Sequence, residues 1–198
     1  FEISIQWLTD SGLVHKVNRV TEPKLPLSAY KNFSIYKLFI LDIGLLCAMS
    51  ELDAKTILDE NNLFVEFKGA LTEQYVLQQL ICDTNYTPYY FGTDKATFEQ
   101  DFMIQKENDI VPIEVKASTN VRSQSLKTFY DKYNPKVSIR FSLLPYCDQS
   151  WMINIPLFAV CNLYKKRDAP FVASQIFVCK KELLTGVSDL SSNFSSEV

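Results

Sequence analysis

The sequence predicts an α/β domain of the α+β kind, with helices laid against a sheet. Three observations carry that expectation. The 198 residues are 47% hydrophobic and 22% charged, which supplies a full core and leaves room for a small appendage. Several short runs rich in aromatic and branched residues are separated by polar breaks, as strands are. Residues 68–82 repeat with a clear helical period: Glu73, Val76, Leu77 and Leu80 fall at i, i+3, i+4 and i+7 and so share one face.

In chain order, residues 1–12 read as the end of a helix, with Ile3 and Leu8 apolar and Gly12 placed as its stop. Residues 13–20 read as a strand that leads into a loop marked by Pro23 and Pro26, and 36–41 (YKLFIL) as a second strand. Helix, strand, loop and strand in that order suit the second half of a winged helix, so 1–45 is taken as a partial winged-helix segment. Residues 42–67 are irregularly helical. The runs 88–92, 97–105 and 110–118 form an expected antiparallel meander, 123–133 a helix, and 137–143 and 151–155 two more strands. Pro156 opens a last short helix to Leu163. This makes 46–164 the main domain. From 165 to 198 the text ends in a Ser-rich stretch expected to be partly disordered.

The bulk properties exclude several functions. A formal net charge of −3 argues against coating nucleic acid by bulk electrostatics, although a local basic patch remains open. Cys47, Cys82, Cys147, Cys161 and Cys179 are odd in number and contain no C-x-x-C pair, which favours reduced, buried thiols in a cytoplasm over disulfides or zinc. No apolar run reaches the ~20 residues needed to cross a bilayer, so no membrane partner is expected. The five glycines are too far apart for a phosphate-cradling G-x-x-x-x-G-K-[ST] loop, so the chain alone is not expected to hydrolyse ATP. His15 is the single histidine and no nucleophile elbow accompanies it. The chain begins at Phe1, inside what reads as a helix, which suggests a piece of a longer protein. An oligomeric state is not specified.

The residues most suited to chemistry are Asp101, Glu114 and Lys116, backed by Glu73. If 106–109 turns with Glu107 and Asn108 at its tip, antiparallel pairing sets residue i opposite 215 − i. Asp101 then faces Glu114 on one side of the sheet, and alternation adds Lys116 to that side. Two like charges directly opposed destabilise a strand pair, and a divalent cation is a reason to keep them. Mg²⁺ or Mn²⁺ takes one or two carboxylates together with waters and phosphate oxygens. A lysine two residues on can orient a bound water and stabilise charge on phosphorus. The same triplet also fits an edge-protecting face that alternates Glu and Lys.

Taken in series, Leu41-Asp42-Ile43-Gly44-Leu45-Leu46, Gly69-Ala70-Leu71-Thr72-Glu73, Tyr89-Tyr90-Phe91, Asp101-Phe102 and Ile113-Glu114-Val115-Lys116-Ala117-Ser118 resemble the C-terminal domain of bacterial and archaeal predicted AAA-type ATPases. In that family an ATPase core and a winged helix precede a domain of unknown function with a PD-(D/E)XK restriction-endonuclease-like fold. The resemblance spans roughly 13–163. It implies a mixed sheet flanked by helices, Asp101 and Glu114 as metal ligands, Lys116 and the helix-borne Glu73 as the remaining site residues, Mg²⁺ or Mn²⁺ as cofactor, nucleic acid (DNA foremost) as substrate, and an ATPase domain as partner. Gln100 departs from the pattern, standing where nuclease relatives often carry Pro or an apolar residue. The non-catalytic alternative is a DNA- or partner-docking module of the same fold.

Two further features had competing readings. Lys16, Arg19, Lys24, Lys31 and Lys37 form either a basic strip for phosphates or a solvated face. Tyr89, Tyr90 and Phe91 either stack on bases or build a buried strand, the second being the simpler.

Overall fold

A computed structural model describes residues 1–51, 65–92, 98–118 and 122–163. The expected tail at 165–198 and most of the irregular helical stretch before residue 65 lie outside the described residues.

The first helix, α1 (Glu2–Asp10), stops where Gly12 adopts φ 74°, a left-handed turn that glycine enters without steric cost. Strand β1 (Val14–Val20) pairs antiparallel with β2 (Lys31–Ile40), longer at its start than the sequence suggests. Helix α2 (Ile43–Met49) is capped by Asp42, whose Oδ1 accepts the Leu45 N–H at 2.8 Å. Helix α3 (Val65–Asp83) covers the expected amphipathic stretch. The meander follows as β3 (Tyr89–Gly92), β4 (Glu99–Lys106) and β5 (Asp109–Val115). Helix α4 (Gln124–Tyr133) ends on Asn134 in the left-handed region. Strands β6 (Ile139–Ser142), β7 (Cys147–Gln149) and β8 (Met152–Pro156), then a 3-10 turn (Leu157–Asn162), complete the described chain.

All eight strands form one mixed sheet in the order β2-β1-β3-β4-β5-β6-β8-β7. This is the α/β, mixed-sheet architecture expected of the sequence. The N-terminal segment is joined to the rest by the parallel pairing of β1 with β3, through Arg19↔Tyr90 and Val20↔Phe91. Strands β5, β6 and β8 run parallel, and β7 closes the far edge antiparallel to β8.

Two apolar layers fix the helices to the two faces. On one, Val76, Leu77 and Leu80 of α3 meet Phe102, Ile104, Val111, Ile113, Val115, Ile139 and Phe141. On the other, Phe129 of α4 meets Val20, Leu27, Tyr89, Phe91 and Met103. Burying a side chain as large as Phe102 is worth about 3–5 kcal/mol against alanine, so these layers dominate local stability. Polar clamps set the register between helix and sheet. Gln74 is buried on α3; its Oε1 accepts Ile40 N–H at 3.1 Å and its Nε2 donates to Ile40 O at 2.7 Å, which satisfies both backbone groups at the end of β2.

Tyr89, Tyr90 and Phe91 are buried in the central strand, so the packing reading holds and no stacking platform is presented. The cysteine expectation is corrected. Cys82 and Cys147 are exposed and Cys47 and Cys161 half-buried, the Cys161 thiol donating to Phe158 O at 3.7 Å, and none of the four forms a disulfide among the described residues. Cys82 lies in the last turn of α3 and Cys147 on the edge strand; the fifth, Cys179, lies outside the described residues. Among the described residues no helix is long and apolar enough to cross a membrane.

Candidate functional site

The hairpin that carries the site has the expected register. Phe102↔Ile113, Met103↔Pro112, Ile104↔Val111, Gln105↔Ile110 and Lys106↔Asp109 all sum to 215, and Glu107 at the tip takes φ 51°. The expected pair of Asp101 with Glu114 falls one step past the last paired residues, Phe102 and Ile113. There the ladder ends, and the Asp101 side chain takes over from the backbone: its Oδ2 accepts the Val115 N–H at 2.7 Å. The carboxylate thus plugs the fork where β4 and β5 part.

The orientation of the acids differs from simple alternation. Tyr89 pairs with Met103 but Phe91 with Gln100, so β4 carries one extra residue between positions 100 and 103. Gln100 and Met103 therefore lie opposite residues of the same, α4-side face, while Phe102 packs under α3. This bulge releases Asp101 toward α3, where Glu73 raises its proton affinity. Glu114 sits between Ile113 and Val115, both packed under α3, and alternation directs it to the opposite face beside Arg140, its partner across β6. The common face expected for Asp101 and Glu114 is therefore not formed by alternation.

Lys116 joins them. It lies one residue past β5, its backbone N–H held by Phe141 O at 2.8 Å, and its Nζ reaches Glu114 Oε1 at 2.8 Å. Burial alone would lower its pKa; the hydrogen bond and charge of Glu114, with Asp101 and Glu73, outweigh that and raise it. Lys116 is thus firmly an ammonium, not a base in waiting.

Asp101 is the most perturbed of these groups. Burial, then the neighbouring Glu73 carboxylate, push it up to about 7, against the lowering pull of the Val115 N–H, Lys37 and Lys116. Glu114 is almost fully buried, with a side chain 5% exposed, and its Oε2 has no hydrogen-bond partner among the described residues. A buried carboxylate oxygen without a partner is costly and rare, and it marks a place where a donor or cation fits.

A group missed by the sequence reading completes the cluster. Lys37, assigned to the basic strip, comes from β2; its Nζ lies 2.6 Å from Glu99 Oε1, 3.6 Å from Glu73 Oε2 and 5.1 Å from the Tyr90 ring centre. The signal that it faces inward was its spacing two residues before Phe39, a core residue of the α3 side. The rest of the strip is also engaged: Lys24 pairs with Glu22 at 2.6 Å, and the ammonium groups of Lys16 and Lys31 lie over Tyr36 and Phe33. His15 is half-buried, and burial lowers its pKa.

A shallow, mainly apolar groove of about 270 Å³ opens alongside, between Thr72 and Tyr75 of α3, Ile43, Leu157 and Ala117, the residue after Lys116. Beneath the sheet, Arg140 Nε donates to Asn154 Oδ1 at 2.8 Å and its Nη1 to Ser123 Oγ at 3.1 Å, fixing β6 against β8 and the start of α4. Gln100, the departure from the family pattern, is buried; its Nε2 donates to Glu99 O at 3.1 Å and its Oε1 lacks a partner among the described residues.

As a metal centre the cluster offers two elements. The donor set consists of Asp101, whose charge is held back by Glu73, and Glu114, with one uncommitted oxygen; two carboxylates suffice for Mg²⁺ when waters and phosphate oxygens complete the shell. Among the described residues no three His, Cys, Asp or Glu side chains gather into a ready-made metal cage.

Comparison with known proteins defines the class only coarsely. Residues 68–158 match the model of a domain of unknown function (DUF4143), and residues 1–56 match a second domain of unknown function (DUF8612). The first match contains Glu73, Asp101, Glu114 and Lys116; the second contains Lys37. No curated protein and no solved structure matches the chain. The two matched segments share one sheet through the β1–β3 pairing.

Proposed function

We propose that this chain carries a PD-(D/E)XK-like, divalent-metal-dependent phosphodiesterase site that acts on nucleic acid, DNA foremost, as the C-terminal portion of an AAA-type ATPase. The observation that carries the reading is the charge cluster at the β4–β5 fork: a carboxyl pushed up to about 7, and an ammonium that acts on it by charge while holding, at 2.8 Å, a buried carboxylate whose other oxygen has no hydrogen-bond partner among the described residues. Perturbed titratable groups that adjoin a groove are the mark of a working site.

Asp101, with Glu73 beside it on the α3 side, would hold Mg²⁺ or Mn²⁺, and Glu114 would join as second ligand by turning from the opposite face along the contact it makes with Lys116. A bound ion of this kind supplies Lewis acidity and a water acidic enough to attack phosphorus. Lys116, kept charged by Glu114, stabilises negative charge on the phosphoryl oxygens. Val115 N–H fixes the Asp101 carboxylate in the fork, and Glu73 keeps it proton-hungry until a cation neutralises the pair. The groove at Thr72, Tyr75 and Ala117 gives the nucleotide flanking the cleaved bond an apolar wall. The apolar side chains that α1 leaves in solvent, Ile3 and Trp7 above all, support an adjoining domain.

Purified protein is expected to cut DNA or RNA when given Mn²⁺ or Mg²⁺, and Asp101→Ala or Lys116→Ala to abolish cutting. Cleavage that survives in both variants, or that the wild type never shows, sinks the enzymatic reading.

Two observations favour a second reading. Glu114 is directed by alternation to the face opposite Asp101, and no three-acid cage exists among the described residues. Such a site suits a DNA- or partner-docking module that has kept the fold without the reaction. It is expected to bind with steep salt dependence and to be indifferent to Asp101→Ala.

A further inference from the structure

The feature that the reading above leaves unused is Lys37. It arrives from β2, a strand of the N-terminal segment, yet its ammonium stands among the acids carried by α3 and β4. On the α3 side, Glu73, Glu99 and Asp101 bring three carboxylates. Lys37 answers them directly, because Lys116 is committed to Glu114 at 2.8 Å. The side chain is half-buried and its ammonium lies over the Tyr90 ring, 5.1 Å from the ring centre, between the two carboxylates that hold it.

We propose that Lys37 acts as a built-in cation that partly neutralises the Glu73–Asp101 pair and competes with a divalent ion for it, thereby setting how tightly that ion is held. The inference rests on the metal-site reading above. It follows from charge and distance: an ammonium 3.6 Å from Glu73 and 2.6 Å from Glu99 occupies the potential well that a cation at Asp101 would share. The arrangement keeps two repelling acids tolerable next to each other, and it makes metal affinity depend on a residue from outside the segment that carries the acids.

Coulomb's law sets the size of the effect. Removing a unit positive charge roughly 6 Å from a divalent ion tightens binding about tenfold, even with the permittivity of water. The test is calorimetric titration of the full chain with MnCl₂ at pH 8, comparing wild type with Lys37→Met, Lys37→Gln and Lys37→Arg. Met and Gln are expected to bind about tenfold tighter, and Arg, which keeps the charge, to stay near wild type. Binding seen only in Met and Gln supports the proposal equally. If wild type binds Mn²⁺ and both neutral variants bind no tighter, Lys37 is not the competing cation, while the metal site stands. Tightening by Arg as well as by Met overturns it too, because charge is then not the cause. Absence of heat from wild type and both neutral variants at millimolar Mn²⁺ removes this proposal together with the metal site. Melting curves in EDTA separate a folding defect from the affinity change, and the smaller, polar Gln serves if Met fails to fold.

Discussion

Replacing Asp101 with Asn should make the protein more stable at alkaline pH, and by a calculable amount. In the folded chain, burial and the Glu73 charge push the Asp101 carboxyl up to about 7, whereas its ordinary value is 3.8. Between roughly pH 4 and 7 the native state therefore holds a proton that the unfolded chain has released, and stability falls as pH rises through that window. The favourable contribution is complete below about pH 4 and gone above about pH 7. A displacement of roughly three units at about 1.4 kcal/mol each corresponds to about 4 kcal/mol. Asn keeps an oxygen to accept the Val115 N–H but carries no charge, so it removes the dependence. For a chain of this size, 4 kcal/mol moves the melting temperature by on the order of 10 °C. Thermal melts in EDTA from pH 4.5 to 8.5 measure this. The wild-type curve should fall progressively below the Asn curve across the window, the two converging toward pH 4. Parallel curves would refute the assigned cause.

Three other perturbations probe the scaffold. Lys116→Met strands the buried Glu114 carboxylate, and urea denaturation at pH 7 should show a loss of about 2 kcal/mol, below the 3–5 kcal/mol of a fully enclosed pair because Lys116 is partly exposed. Gln74→Leu leaves the N–H and C=O of Ile40 without their partners; about 1–3 kcal/mol should be lost, with hydrogen exchange accelerated first at Ile40. Glu107→Gly relieves the left-handed φ of 51° at the hairpin tip and should stabilise by about 0.5–1 kcal/mol, read as a higher urea midpoint with an unchanged slope.

What could be read in advance was local. The hairpin register followed from the short polar tip at Glu107-Asn108, because once a two-residue loop is fixed every pair down the ladder is fixed with it. The inward face of α3 followed from a period that only a helix satisfies, and it placed Glu73 beside Val76, Leu77 and Leu80. What escaped was decided by pairing between distant segments. The β4 bulge that turns Asp101 toward α3 exists because β3 pairs in two registers, at Tyr89 and at Phe91, which no pattern within 97–105 records. Lys37 looked like one charge of a surface strip, since nothing near it in sequence reveals that Glu73 and Glu99 will lie beside it. Strand β7 is three exposed residues, too short for alternation to register. The cysteines were placed by the general habit of thiols to be buried, and that habit yields wherever a helix end or sheet edge has no layer above it.

The most direct trial of the account is a crystal of the chain soaked in MnCl₂ and measured at the manganese absorption edge. A single anomalous peak within bonding reach of Asp101 is predicted, with Glu114 or Glu73 turned to meet it and Lys116 still alongside. A map with no peak at the β4–β5 fork, or with manganese only on surface carboxylates elsewhere, would contradict it.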